Sequence, residues 1–350
     1  MMQKKINRIL VYGESWRAAV SYSILLALTR LGYSVIIFDY KKHLSLSKVE
    51  DNRFLRKMGF VLDQLFFKKR CTEINKSFLQ CIEDFSPDLI IVVKGLHVLP
   101  ESLKKIKKNG IPVVNWHGDE FFNPIYIMPY SRESFVLYDI HFSQRSHLFE
   151  EYRKQGGGNI EYLEHCVDPT VFYPINSISG NHPCDVSFIG SWSKKREHLL
   201  KKLYMFNVHI YGSSWHRAAI FRRAPNILFM NKGVYLEDFS RVVSMSKICL
   251  NILTEENRDQ TNLRNFEIPA CRGFQLCERS TKLTEIFKEG EEIALYEGEQ
   301  ELIEKIHYYL SHEFERIKIA ENGFKAVIQG GHTYESRCKQ LISVVEALLL

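Results

Sequence analysis

Two stretches of this chain concentrate the residue types that bind and polarise ligands. The longer runs from Asn251 to Leu276, where a strand-like segment opens into a polar loop that enters a helix at Asn265–Cys271. Asn262 and Arg264 close the loop, and Glu267 falls in the first turn of the helix with Pro269 just inside it. A carboxylate there accepts two hydrogen bonds from a ribose diol, and a guanidinium pairs with phosphate through parallel bonds. The simpler reading is a carboxylate answering the helix dipole beside a surface arginine. The polar density favours a ligand, because it falls where open α/β sheets bind one. The second stretch is Gly190-Ser191, followed by Ser193-Lys194-Lys195-Arg196 at a helix start. Exposed amides, a helix N-terminus and three cations suit a phosphate group. Taken alone, an ordinary basic helix start accounts for these residues equally well.

The elements that must position these groups alternate along the chain. Strands are expected at Arg8–Tyr12, Ser34–Asp39, Asp88–Val93, Ile111–Asn115, Val136–Phe142 and Ile160–Leu163, with helices at Ser15–Leu31, Glu73–Phe85, Pro100–Lys108 and from Gln144. Continuous Val/Ile/Leu runs between helices indicate a parallel sheet covered on both faces. His165–Pro183 is rich in turn formers and carries the break between domains. The pattern restarts with strands at Asp185–Ile189, Val208–Tyr211 and Ile248–Ile252, with helices from Lys194 and over Leu236–Ser246. It ends in helices at Glu299–His312, Glu313–Ile328 and Tyr334–Leu350. The expected division is a first domain over 1–170, a linker over 171–183, a second domain over 184–331 and a final helix over 332–350. Val11-Tyr-Gly-Glu-Ser-Trp16 and Ile210-Tyr-Gly-Ser-Ser-Trp215 form a faint internal echo.

Glycine turns follow three of the strands, at Gly13, Gly190 and Gly212, but none belongs to G-x-G-x-x-G or G-x-x-x-x-G-K-[ST]. A hydride-transferring dinucleotide enzyme and a P-loop kinase thereby lose their best sequence signal. Composition narrows the field further. With 350 residues, 45% hydrophobic and 25% charged, the chain is neither disordered nor a disulfide scaffold. Its eight cysteines contain no C-x-x-C pair, which fits reduced thiols in the cytoplasm. No segment has the apolar length of a bilayer span or the form of a secretory signal. The net charge of +6 is concentrated in clusters at Lys41–Lys42, Arg53/Arg56/Lys57, Lys68–Arg70 and Lys104/Lys105/Lys107/Lys108. Solvated helix faces explain most such clusters, and a peripheral contact with anionic membrane is the alternative. No nucleic-acid module accompanies them.

Asn262-x-Arg264-x-Phe266-Glu267-Ile-Pro-Ala270-Cys-x-Gly273 resembles the donor-site segment of group-1 glycosyltransferases, especially their CgeB-like branch. Asp185-Val-Ser-Phe-Ile-Gly-Ser191 with Arg196, Tyr211-Gly212 with Trp215, Ser246–Asn251 and His332-Thr333-Tyr334-x-x-Arg337 follow the same pattern in order. The resemblance implies a GT-B fold, with two facing Rossmann-like doubly wound domains and a last helix crossing back to the first. It also implies a bacterial, cytoplasmic transferase of cell-surface polysaccharide biosynthesis. Such an enzyme moves a sugar from a nucleotide diphosphate sugar to a hydroxyl on a glycan, glycolipid or protein. Glu267 falls on the ribose-binding glutamate of the family's paired-glutamate motif. The earlier acidic position is Asp259, and Thr261-Asn262 replaces the usual Phe-Gly. Arg264 and Arg196 would hold the diphosphate, and Gly190, Ser191, Gly212 and Asn262 would line its pocket. No cofactor and no metal are expected. In the first half the resemblance places His117 and Asp119, within Asn115–Glu120, where they touch acceptor or donor sugar. One of them would take a proton if the reaction inverts, and His117 would hold a sugar hydroxyl if it retains. A nucleotide-sugar epimerase or hydrolase, or a non-catalytic carbohydrate or assembly module, could share the fold.

Overall fold

The computed structural model describes residues 5–43, 53–123, 127, 130–175, 183–218, 224–230 and 232–349, and within 53–68 and at 349 the backbone alone. It divides into two units, Met1–Glu164 with Tyr334–Leu350, and His165–Thr333.

The first unit is a six-stranded parallel sheet in the order β2-β1-β3-β4-β5-β6. Its strands are β1 (Arg8–Gly13), β2 (Ser34–Asp39), β3 (Leu89–Val93), β4 (Val113–His117), β5 (Ile140–Ser143) and β6 (Asn159–Tyr162). Helices α1 (Val20–Arg30), α2 (Arg53–Phe85), α3 (Pro100–Lys108), α4 (Ser131–Phe135) and α5 (Phe149–Lys154) connect them. β3, and β1 after the exposed Arg8, are apolar because they are central and covered on both faces; Ile9, Leu10, Val11 and Leu89–Val92 are all buried. Strand order reverses between β1 and β3, so the chain leaves these neighbours toward opposite sides and opens a crevice beyond their C-terminal ends.

The second unit repeats the architecture in the order β12-β11-β10-β7-β8-β9, with the reversal between β7 and β10. Its strands are β7 (Cys184–Ile189), β8 (Val208–Tyr211), β9 (Ile227–Phe229), β10 (Ser246–Asn251), β11 (Gln275–Glu278) and β12 (Ala294–Tyr296). Around them lie α6 (Lys194–Lys201), α7 (Glu237–Ser244), α8 (Arg264–Ala270), α9 (Thr281–Ile286), α10 (Gly298–Ser311) and α11 (Glu313–Gln329). The final helix, α12 (Tyr334–Leu349), returns to the first unit. It packs against α1, where Arg30 pairs with Glu335 at 2.6 Å, while Arg337 donates to the Glu164 carbonyl and Gln340 to that of Tyr162.

Several expected boundaries move. The second unit begins at His165, not after a linker ending at 183, because Val167 pairs with Thr333 and Phe172 packs edge-on against Phe239. Of that linker, 176–182 lie outside the described residues. The expected strand at Val136–Phe142 shortens, with β5 starting only at Ile140. The echo between Trp16 and Trp215 has no structural counterpart. It relates β1, the central first strand of its sheet, to β8, the second strand of the other, and Trp16 is 47% exposed whereas Trp215 is wholly buried.

One buried polar group has a consequence for stability. His141 lies in β5 with its Nε2 donating to the Phe135 carbonyl at 2.8 Å and its ring stacked on Phe135. Burial lowers its pKa to about 4, although the bond to Phe135 opposes the fall. Between an unfolded value of about 6.5 and that folded value, the unfolded chain binds a proton that the native chain refuses. Stability therefore rises with pH through this window, by up to about 1.4 kcal/mol per unit from this residue. Urea unfolding of the wild type at pH 7, 5.5 and 4.5 should show that decline, and His141→Leu, though weaker at pH 7, should show a flatter one.

Candidate functional site

In the second unit the candidate residues gather at the end of β7. Three successive carbonyls there are each taken by a side chain. Ile189 O accepts from Arg264 Nε at 3.4 Å, Gly190 O from Trp215 Nε1 at 2.8 Å, and Ser191 O from Arg196 Nη1 at 3.0 Å. Arg196 also donates through Nη2 to Ile252 O at 3.0 Å and Thr254 Oγ1 at 2.9 Å, so one guanidinium joins the loops after β7 and β10 across the point where strand order reverses. Its plane lies over the Phe188 ring, 5.5 Å from the centroid. Ser193 caps α6 by accepting from the Arg196 amide, which fixes where that arginine leaves the helix.

Gly212 explains the tight approach of the neighbouring turn. Its φ is +145°, and a Cβ there would lie 2.0 Å from Gly190 O, so a larger residue would push the β8 turn off β7. Gly190 and Gly212 thus act as a pair, and Ser191 Oγ meets Ser213 Oγ at 3.0 Å just outside them.

Arg264 opens α8 one residue before the expected start and forms an ion pair with Glu267, one turn on. Glu267 is 6% exposed, and Arg264 also stacks over Phe239, 4.7 Å from its centroid. The earlier start places Pro269 well inside the helix, which ends one residue later at Ala270. Asn262 is placed differently from the expected pocket lining. Its amide exchanges two hydrogen bonds with Asn251, at 3.0 and 3.1 Å, and it therefore tethers the long loop to the end of β10. Asn265 continues this scaffold by accepting from the Asn262 amide and donating to Gln275.

The electrostatics of this edge follow from the crowding of cations. Burial lowers the Arg196 pKa; Asp259 and Glu256 oppose the fall, and the nearby Arg264 adds to it. Asp259, left without a role by the sequence, thus belongs to the acidic surroundings that balance Arg196. Lys195, also beside the site, is tied to Glu278 at 2.7 Å, and Glu278 in turn accepts from the Leu253 amide.

In the first unit, His117 is the last residue of β4 and not part of the following loop. It is buried, and its Nδ1 meets the Asp119 carbonyl oxygen. Since a carbonyl only accepts, Nδ1 carries the proton and Nε2 is the ring's acceptor. Burial pushes the imidazole pKa well below its ordinary value, Asp119 opposes this, and Arg145 and His141 reinforce it. Burial works against the Asp119 carboxylate, but the Lys94 ammonium at 2.7 Å outweighs it and the carboxyl pKa falls. Lys94 and Arg145 escaped the sequence reading. Lys94 follows β3 with φ +63°, ahead of Gly95 at +78°, a turn that carries its side chain to Asp119. Arg145 is almost wholly buried and donates to the Gly118 carbonyl at 2.9 Å, holding the His117–Asp119 turn.

Among the described residues no group of three or more His, Cys, Asp or Glu side chains is arranged to hold a metal ion, and no helix is long and apolar enough to cross a membrane. A recess of about 820 Å³ in the first unit lies on the flank between β2 and α2, away from both strand-end sites.

The Arg196 geometry yields a sharp expectation. An ammonium is a point donor and cannot serve three acceptors spread over two loops. Arg196→Lys should lower stability by roughly 2 kcal/mol through carbonyls left unsatisfied, read as a reduced urea midpoint with an unchanged slope. A midpoint equal to that of the wild type would contradict the bridging role.

Comparison with known proteins agrees with this geometry. Residues 195–343 match the family described as glycosyl transferase-like. The spore protein CgeB of Bacillus subtilis is 24% identical over 266 residues, spanning 71% of this chain and 80% of that protein. A sucrose-phosphate synthase from Thermosynechococcus elongatus superposes with a TM-score of 0.68 at 13% identity, covering 98% of this chain and 99% of its own. Anabaena HepE in complex with UDP gives 0.65 at 12% identity, over 97% and 100%. A UDP-GlcNAc 2-epimerase from Neisseria meningitidis gives 0.54 at 15%, over 97% and 99%. At these identities the structural likeness is one of fold. Taken with the family match over residues 195–343 and the CgeB relative, it makes the chain similar to CgeB-like glycosyltransferases of the group-1 type and gives it the GT-B fold.

Proposed function

We propose that the second unit binds a nucleotide diphosphate sugar at the ends of β7, β8 and β10, and that the enzyme passes the sugar to a hydroxyl of a glycan, glycolipid or protein without a metal ion. The observation that carries this reading is the convergence of Arg196 and Arg264 on the β7 end, at the point where strand order reverses. Two guanidinium groups held near each other repel, and a diphosphate relieves that repulsion. Arg264 keeps Nη2 outside its bonds to Ile189 and Glu267 and is the group proposed to touch the phosphate. Arg196, bonded to the chain through both terminal nitrogens, contributes its charge and the shape of the two loops. Glu267 pairs with Arg264 through Oε2, and Oε1 is the atom proposed to accept the ribose diol.

As the bond from the anomeric carbon to the diphosphate breaks, negative charge grows on the leaving oxygen. Prearranged cations stabilise that charge without reorganising, which is the main catalytic contribution in this account. In the first unit both His117 and Asp119 have lowered pKa values, so each is a weak base at neutral pH. His117 Nε2 is therefore proposed to hold a sugar hydroxyl. Exposed Lys104, Lys105 and Lys108 on α3 are proposed to bring the protein to anionic membrane; Arg53, Arg56 and Lys57 have side chains outside the described residues. The HepE complex with UDP and the epimerase bound to UDP-GlcNAc support a uridine nucleotide as the first donor class to try. An epimerase would interconvert such a sugar without transferring it, and the glycosyl transferase-like family match favours transfer.

Thermal shift with UDP, GDP, CDP and ADP in EDTA tests the donor site. A ligand that binds only the native state raises its stability as RT ln(1 + [L]/Kd). One nucleotide should shift the wild type selectively, and Glu267→Ala should lose at least tenfold in affinity. No shift with any of the four would remove the donor-site reading. For the membrane contact, flotation with vesicles containing phosphatidylserine should capture the protein at low salt and release it at high salt. Binding that ignores salt, or no binding, would refute it.

A further inference from the structure

The second unit holds a cavity at the edge of its sheet opposite the proposed donor site. It measures about 330 Å³ and lies between the start of β10, the turn into β11 and the first half of α11. β10 runs from Ser246 at this cavity to Asn251 at the other edge, roughly 17 Å away at the rise of a strand. Val243, Phe274 and Ala320 form apolar walls, and Arg316 lies against them, 5% exposed. Its Nη1 donates to the Tyr309 carbonyl at 2.6 Å, while Nη2 stands 3.9 Å from Glu313, beyond hydrogen-bond reach. Among the described residues no hydrogen bond engages Nε or Nη2. A buried guanidinium with unused donors is unfavourable unless something supplies acceptors. Lys247 and Arg272 line the same cavity. Arg272 sits at φ +55°, the left-handed position after a helix that glycine usually fills, with its guanidinium over the Phe324 ring. Two carbonyls at the end of α7, which would repel an anion, are already taken. Arg241 O accepts from Ser244 Oγ at 2.9 Å, and Val242 O from Ser246 Oγ at 2.6 Å.

We infer that this cavity binds a small organic anion, a single carboxylate or phosphate group on a compact apolar body, at a site separate from the donor edge. The inference does not depend on the transferase reading. Nε and Nη2 of Arg316 form the fork that a carboxylate or phosphate meets through parallel bonds. Arg272 and Lys247 add positive charge, and the walls of Val243, Phe274 and Ala320 receive the apolar body. Carboxylates stand near all three cations, and they compete unequally with a ligand. Asp185 holds Lys247 at 2.8 Å, so Lys247 contributes least. Glu321 stands 3.3 Å from Arg272 and Glu313 3.9 Å from Arg316, and the Glu313 side chain is 69% exposed. An exposed carboxylate held so loosely gives way to a ligand with little loss, because water solvates it. The volume is near the lower end of small-molecule sites, roughly 300–1,000 Å³, which limits the occupant to about one ring.

Isothermal titration of the full chain with phenyl phosphate, benzoate, inorganic phosphate and the neutral benzyl alcohol tests the site, and amide hydrogen exchange locates it. Phenyl phosphate or benzoate should bind about threefold or more tighter than inorganic phosphate, through the apolar walls. Benzyl alcohol should not bind, and protection should fall on residues 243–247, 272–274 and 313–321. Arg316→Met should weaken binding by roughly tenfold or more. That change also strips the Tyr309 carbonyl of its donor, so Glu313→Gln is the second variant. It alters an exposed side chain and should tighten binding about twofold or more by removing the competing carboxylate. Arg264→Ala, at the donor edge, should leave the affinity unchanged. Protection confined to 189–196 and 262–267, full affinity in Arg316→Met, or no gain in Glu313→Gln would overturn the site. Failure of every probe to bind would do the same. Inorganic phosphate binding as tightly as phenyl phosphate and benzoate would overturn the ligand class.

Discussion

Three consecutive carbonyls, those of Ile189, Gly190 and Ser191, are the constraint on which the second unit's site depends. Each is held by a side chain from a different segment, Arg264, Trp215 and Arg196. Carbonyl oxygens at the C-terminal edge of a parallel sheet would repel an anion. Occupying them with donors from the protein removes that repulsion and leaves two guanidinium groups in their place. The donors also fix geometry, because Arg196 reaches Ile252 and Thr254 in the next loop, and Gly212 permits the β8 turn to press against Gly190. The clustering of cations at this edge and its shape therefore have one cause.

The first unit reaches a related result by other means. There the strand ends carry ion pairs, Lys94 with Asp119 and Lys41 with Glu14, on either side of the reversal between β3 and β1. The left-handed backbone at Lys94 delivers its ammonium to Asp119, and the buried Arg145 clamps the Gly118 carbonyl. Burial, reinforced by Arg145, keeps His117 neutral, and Lys94 keeps Asp119 ionised.

Much of this was legible in the sequence, for identifiable reasons. Apolar runs such as Leu89–Val93 sit between helices because both sheet faces are covered, so the two parallel sheets could be anticipated, whereas the return of the last helix was implied by the family resemblance alone. Arg264 and Glu267 stood out because a dense polar loop feeds their helix, and the structure joins them as an ion pair. Other features were not. Asn262 reads as a ligand contact, yet it spends both polar atoms on Asn251, a pairing set by where a loop returns eleven residues later. Arg145 and Lys94 look like ordinary charges until β5 and β3 bring them beside β4. The echo of Trp16 in Trp215 misled because similar local turns sit on non-equivalent strands, one ring exposed and the other buried. The start of the second unit at His165 depends on pairing with Thr333, a contact no local composition reveals.

The central claim is that the β7 end, clamped by Arg196, Trp215 and Arg264, is where the nucleotide diphosphate is held. Amide hydrogen exchange with and without the nucleotide that gives the largest thermal shift tests it most directly. The account predicts protection confined to residues 189–196, 251–254 and 262–267, and loss of that protection in Arg264→Ala. Protection centred elsewhere, or protection of these segments that survives Arg264→Ala unchanged, would contradict it.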